Sequence, residues 1–242
     1  MISLIGPVDD QTKLVRLCDE LTELCNEITR NAKIRVIILA GAGEKSFSIK
    51  TDSFGLILEG NDERRERTCS LSEPIAKLDL PIIAAIHGDA IGQGLELALA
   101  CDLRLASETS HFGLLHIRTG LIPWDGGTQR LSRLVGRAKA LEMILTGEVI
   151  DAQEACRIGL VNKMVPSGEL MTVAMDMAKE IASKGPIALR YAKEAVYQGM
   201  DMTLEQGLRL EADLYLLLHT TQDRAEGIQS FRKKRVPQFE GK

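Results

Sequence analysis

Residues 82–107 restrict the fold more than any other stretch of the chain. The run IIAAI is apolar at every position. A strand formed by it can leave neither face to water, so it belongs inside a parallel sheet covered on both sides. His87 and Gly88 follow, then a turn spaced by Gly92 and Gly94, then a strongly apolar segment in which Glu96 is lodged between leucines. The pattern predicts a strand, a turn and a buried helix in succession, with one carboxylate carried inside. Two readings of Glu96 are open at this point. Glycines let a backbone approach a ligand closely, and the first N–H groups of a helix have no intrahelical partner, so the helix start could hold developing negative charge beside Glu96. Alternatively, Glu96 only complements the helix dipole from the first turn of an ordinary βα unit.

The neighbouring segments alternate in the same manner, which argues for an α/β fold. Leu14, Leu17, Leu21, Leu24 and Ile28 recur at spacings of three and four, predicting an amphipathic helix over 11–31. A short β-branched run at 34–41, ended by glycine, reads as a buried strand, and GAGEKSFSIKTD as a loop. The polar stretch 61–67 leads into a helix expected to end near Leu80, before Pro81 opens the next strand. DLRLAS, 102–107, reads as a third strand. Two βα units in succession give a mostly parallel sheet whose loops gather function at one edge. After Gly126 come short amphipathic helices, one more strand in LVNKMV, and then helix to the end. Leu204 to Leu218 carries leucine on more than one face, more than a solvated helix needs, which points to packing against another domain or subunit. An ordinary core helix is the competing reading.

Composition closes off several function classes. The 242 residues carry a formal net charge of −4, and 45% are hydrophobic. That balance describes a soluble chain with one main domain, and it argues against nucleic acid, whose phosphates favour a basic surface. RKKR at 232–235 reads as a solvated helix face. No apolar run is long enough to span a bilayer, and no secretory signal is seen. Four histidines lie far from any CxxC, so no metal site is expected. Five cysteines, Cys18, Cys25, Cys69, Cys101 and Cys156, are scattered and odd in number. Buried free thiols in a reducing, cytoplasmic compartment are expected.

Four segments in order, GQGLELALACD, GLIPWDGGTQRLSRLVG, AQEACRIGLVNKMV and DRAEGIQSFRKKRVPQFEGK, resemble the successive signatures of the crotonase, or enoyl-CoA hydratase/isomerase, superfamily. The resemblance covers nearly the whole chain. It implies a repeated ββα core over residues 1–185 carrying an acyl-CoA site, and a C-terminal helical region, 186–242, used for trimerisation and as a lid. The family has about two more strands before the first helix, and residues 1–10 supply at most a remnant. A homotrimer or hexamer is implied, with an acyl-CoA thioester as ligand. No cofactor is implied, coenzyme A being part of the substrate.

The resemblance also assigns residues. Two backbone N–H groups, those of Thr51 and Gln93, would hold the thioester oxygen as it becomes an enolate. Donors preorganised in a dry site stabilise such charge by roughly 3 kcal/mol each. The family places glycine before the first donor and at the second, where this chain has Lys50 and Gln93. Glu96 matches the first of the family's two catalytic glutamates, and His116 stands at the second. Imidazole can do acid–base work near neutral pH, although a hydrogen-bonded structural histidine is the ordinary alternative. Trp124 and Asp125 replace small residues: Asp125 is a candidate third acid–base group, and Trp124 would narrow the acyl pocket, favouring a planar, ring-bearing acyl group. Phe231 and Lys234 match an aromatic and a lysine that approach the coenzyme, with Lys45 and Lys50 as further cations. His87 and His111 read as structural. The implied activity is hydration of an α,β-unsaturated acyl-CoA. Double-bond isomerisation and a lapsed, acyl-CoA-binding scaffold are the alternatives.

Overall fold

The protein is described by a computed structural model at residues 2–4, 11–41, 47 and 70–242. The chain divides into two compact units. Met1–Ala32, Ile37–Leu78 and Ile82–Met175 form the first, and Lys33–Val36, Asp79–Pro81 and Asp176–Lys242 the second.

The first unit runs β1 (Ile2–Leu4), α1 (Gln11–Arg30), β2 (Ile37–Gly41), α2 (Ser72–Ala76), β3 (Ile82–Ile86), β4 (Asp89–Ile91), α3 (Gln93–Leu99), β5 (Leu103–Ser107) and β6 (His111–Gly113). It continues through α4 (Gly127–Val135), α5 (Arg137–Thr146), β7 (Val149–Asp151), α6 (Ala152–Arg157), β8 (Lys163–Val165) and the start of α7 (Leu170–Ala182). The larger sheet has the order β1-β2-β3-β5-β8 with every neighbouring pair parallel. None of the five side chains of β3 is more than 1% exposed, as an all-apolar strand at the middle of a covered sheet requires.

The sequence pattern placed this architecture and missed a layer of it. Between β3 and α3 the chain forms β4, which pairs in parallel with β6, and β6 pairs antiparallel with β7. The unit that local pattern read as βα is therefore ββα, as the family resemblance implies; a three-residue strand is too short for its period to be read. The helix expected to reach Leu80 stops at Ala76. Pro81 disfavours helical geometry at the residue before it. On α1 the buried stripe is Cys18, Leu21, Cys25 and Ile28. The cysteine expectation needs correcting. Cys18 is disulfide-bonded, Cys25 and Cys101 are free and buried, and Cys156 is free and exposed, because the helix that carries it turns that side outward. Cys69 lies outside the described residues.

Helix α3 is buried on every side, Gln93 and Glu96 included. Beyond its C-terminus, the side chain of Arg104, only 3% exposed, donates to the carbonyls of Leu160 at 2.7 Å, Cys101 at 2.6 Å, Ala98 at 3.4 Å and Asp102 at 3.5 Å. A cation placed against the last carbonyls of a helix complements its dipole. Asp102 in turn ties the segment to the start of β3, its carboxylate accepting the Ile82 N–H at 2.7 Å.

The second unit holds α8 (Pro186–Gly199), α9 (Leu204–Leu218) and α10 (Gln222–Arg232). Thr203 and Gln206 form a capping box at the start of α9. Helices α8 and α9 approach closely at Gly199 and Gly207, where a Cβ on Gly207 would stand 3.5 Å from the Gly199 Cα. Leu214 is buried, but Leu204, Leu208, Tyr215, Leu216 and Leu217 are each at least half exposed. Among the described residues, no helix is long and apolar enough to cross a membrane.

Candidate active site

The turn into α3 explains how a carboxylate reaches the interior. Gly92 caps the helix with φ +58°, a conformation that favours glycine, and its N–H donates to the Gly113 carbonyl at 2.8 Å. Gln93 opens the helix, and Glu96 follows one turn later with no exposed surface.

The two oxygens of Glu96 have different surroundings. Oε1 accepts the N–H of Asp125 at 2.8 Å and that of Gly127 at 2.9 Å. Gly127 is the first residue of α4, so the carboxylate caps that helix where backbone donors lack intrahelical partners. Glycine is required there: a Cβ would meet Pro123 Cβ at 2.8 Å and Glu96 Oε1 at 2.9 Å. Oε2 has no hydrogen-bond partner among the described residues and lies 3.6 Å from His116 Nε2.

His116 sits on a 3-10 turn, Leu115–Thr119, that follows β6, and is 7% exposed. Neither ring nitrogen has a hydrogen-bond partner among the described residues. The described surroundings therefore do not hold it as a hydrogen-bonded structural histidine. Burial holds its pKa below the ordinary imidazole value. Burial acts on Glu96 in the other sense. It pushes the carboxyl up to about 7, with the charge of Asp125 adding to the rise, against the lowering effect of the two N–H bonds and of Arg130. Near neutral pH the site thus pairs a carboxyl poised between its two protonation states with a neutral imidazole. One can donate a proton while the other accepts one.

Asp125 reaches the site through its backbone. Its carboxylate accepts the Ser70 hydroxyl at 2.5 Å and the N–H groups of Leu71 and Ser72 at 3.0 Å each, while its carbonyl accepts Arg130 Nη1 at 2.9 Å. Trp124, half-buried, precedes it. His87 Nε2 lies 3.2 Å from the Ser167 carbonyl, and His111 Nδ1 lies 2.9 Å from Asp89 Oδ1. The structure thus gathers Gln93, Glu96, His116, Trp124 and Asp125 in the first unit. Phe231, 85% exposed, and Lys234, with φ +50°, belong to the second unit. Lys45, Lys50 and Thr51 lie outside the described residues. Sequence reasoning missed Gly127, Arg130 and the Ser70–Ser72 backbone. The one available signal for Gly127 was a second glycine directly before a helical pattern.

A buried carboxylic acid facing an uncharged imidazole, mounted on a parallel α/β scaffold, is the equipment of a general acid–base enzyme. Comparison with known proteins narrows that class. Residues 12–242 match the family described as enoyl-CoA hydratase/isomerase. YngF of Bacillus subtilis is 41% identical over 244 residues, covering 100% of this chain and 94% of YngF. The (E)-benzylidenesuccinyl-CoA hydratase of Thauera aromatica is 40% identical over 229 residues, covering 92% of this chain and 88% of its own. The crystal structure of an enoyl-CoA hydratase from Bacillus anthracis superposes with a TM-score of 0.87 at 42% identity, covering 94% of this chain and 90% of that one. The chain belongs to the enoyl-CoA hydratase/isomerase family.

Proposed function

We propose that this enzyme adds water across the α,β double bond of an enoyl-CoA thioester, with Glu96 and His116 as its acid–base pair. The observation that carries the reading is the division of labour at Glu96: one oxygen is fixed by two backbone N–H groups, and the other is turned towards a neutral His116. In the proposed cycle His116 takes a proton from water as its oxygen bonds to the β carbon. Electrons move to the thioester oxygen, which the N–H groups of Gln93 and Thr51 stabilise. Protonated Glu96 then delivers a proton to the α carbon. The imidazolium and carboxylate left behind restore the starting state by proton transfer between them. Water has been added and no net charge created.

Trp124, the residue before Asp125, supports an acyl group that is planar and ring-bearing. The name of the Thauera aromatica relative, a hydratase of a benzylidene thioester, points the same way. The deciding experiment incubates the purified protein with enoyl-, dienoyl- and aryl-substituted CoA thioesters and follows products by mass spectrometry. A gain of one water supports hydration; a product of unchanged mass but altered chromatographic retention indicates isomerisation; no conversion of any thioester indicates a binding protein.

Phe231 and Lys234 are assigned to the coenzyme, with Lys50 as a further cation, because a phosphate attracts a cation and adenine favours an aromatic face. Phe231 is exposed, as a ring that meets a ligand must be, whereas the positive φ of Lys234 belongs to the left-handed turn that ends α10, where the Arg235 N–H donates to the Ser230 carbonyl at 3.1 Å. Lys234→Ala is expected to weaken binding of a saturated acyl-CoA by about tenfold, the scale of a charge-assisted contact. Calorimetric titration showing unchanged affinity would remove this assignment. The exposed leucines of α9 support a homotrimer or hexamer, and light scattering at micromolar concentration should give three or six chain masses.

A further inference from the structure

We infer that Asp125 is a positioning residue, whose side chain anchors the peptide segment that cradles Glu96 to the N-terminus of α2. The inference rests on the hydratase reading for its kinetic consequences and on geometry for everything else. Three groups of this one residue are committed in three directions. Its N–H holds Glu96 Oε1, its carbonyl accepts Arg130, and its carboxylate takes the Ser70 hydroxyl together with the Leu71 and Ser72 N–H groups.

The carboxylate would have to give up these donors in order to exchange a proton with substrate. It is also buried, at 6% exposure, where leaving backbone N–H groups unsatisfied is costly. The side chain therefore fixes a peptide, and the peptide fixes the acid. Arg130 is the second strap: its guanidinium closes over Gly126, where a Cβ would collide with it, and binds the Asp125 carbonyl. Together they hold the segment from Asp125 to Gly127, whose two N–H groups set the direction of the Glu96 carboxylate.

The test compares Asp125→Asn with Asp125→Ala. Asparagine can still accept both backbone N–H groups through its carbonyl while its amide donates to the Ser70 hydroxyl, so the anchor survives without the charge. Asp125→Asn is expected to keep kcat within about threefold of wild type. The alkaline limb of its pH profile should move to lower pH, because His116, Arg130 and Asp125 are the ionisable groups facing Glu96 and only the negative one has been removed. Asp125→Ala releases the segment and should lower kcat by about a hundredfold, the scale of a misplaced reacting group, with KM changed far less. If Asp125→Asn is as inactive as Glu96→Gln, Asp125 exchanges protons and the inference is overturned. If Asp125→Ala loses thermal stability but keeps kcat and its pH profile, the role is merely structural and the inference is again overturned. Carbon-13 NMR titration of labelled Glu96 in wild type and Asp125→Asn needs no turnover. A lower midpoint in the variant upholds the coupling even where no thioester is converted, and an unchanged midpoint refutes it.

Discussion

Glu96→Gln is expected to lose between about a hundredfold and ten-thousandfold in turnover, the usual contribution of a positioned proton donor. Glutamine keeps the length of the side chain and an oxygen for the Asp125 and Gly127 N–H groups, so KM for the thioester should stay near its wild-type value. Initial rates across pH on the thioester found in the product screen would check this. Retention of near wild-type turnover would move the acid–base role elsewhere. The same variant carries a second, independent signature in its folding. Glu96 has a folded-state pKa raised from 4.5 to about 7. Below pH 4.5 the group is protonated in both folded and unfolded chains, and it adds nothing to the pH dependence. Between 4.5 and about 7 the unfolded chain gives up a proton that the folded chain retains, so wild-type stability falls as pH rises. The loss from this group is about 3 kcal/mol. Glutamine does not titrate. Denaturant unfolding should therefore show the variant gaining on wild type from pH 4.5 to 8, and a constant difference would contradict the raised carboxyl.

His116→Ala should lower turnover by about a hundredfold or more and remove one limb of the pH profile. The sign follows from the direction of its shift. A base must be neutral to accept a proton from water, and burial keeps this imidazole neutral to below its ordinary pKa. The titration of His116 should thus limit wild-type activity only at acid pH, while the decline near and above pH 7 belongs to Glu96 as it ionises. The alanine variant should lose the acid limb and keep the alkaline one. Since neither ring nitrogen is hydrogen-bonded among the described residues, the variant forfeits packing and no hydrogen bond that the described structure shows. A fall in melting temperature with an intact acid limb would instead make His116 a structural residue.

Much of this arrangement was legible before any coordinates, and the exceptions share a cause. The all-apolar run at 82–86, the uncharged surroundings of Glu96 and the leucine-rich segment 204–218 are each local features of composition, and they became a buried strand, a buried helix and α9. Strands β4, β6 and β7 are three residues long and give no period. The placement of Asp125 was legible as far as its neighbours in sequence. Its side chain instead answers to donors at Leu71 and Ser72, 54 and 53 residues away, and a contact that distant leaves no mark on local pattern. The disulfide at Cys18 was invisible for a related reason: spacing suggests which thiols share a helix face, not which sulfur meets another.

The buried arginine behind α3 has a bearing on how firmly the acid is held. Arg104 stays charged at any physiological pH, and the carbonyls that satisfy it include those of Ala98 and Cys101 at the end of the helix carrying Glu96. Withdrawing α3 from that guanidinium would leave a full charge in the interior with only the Leu160 and Asp102 carbonyls as partners, so the helix is expected to detach only when the surrounding unit unfolds. In hydrogen-exchange terms its amides belong with the slowest class, those that report global opening. His116, by contrast, stands on a single 3-10 turn, Leu115–Thr119, whose amides are expected to exchange ahead of those of α3. Of the two members of the pair, the acid is carried by the part of the fold that opens last.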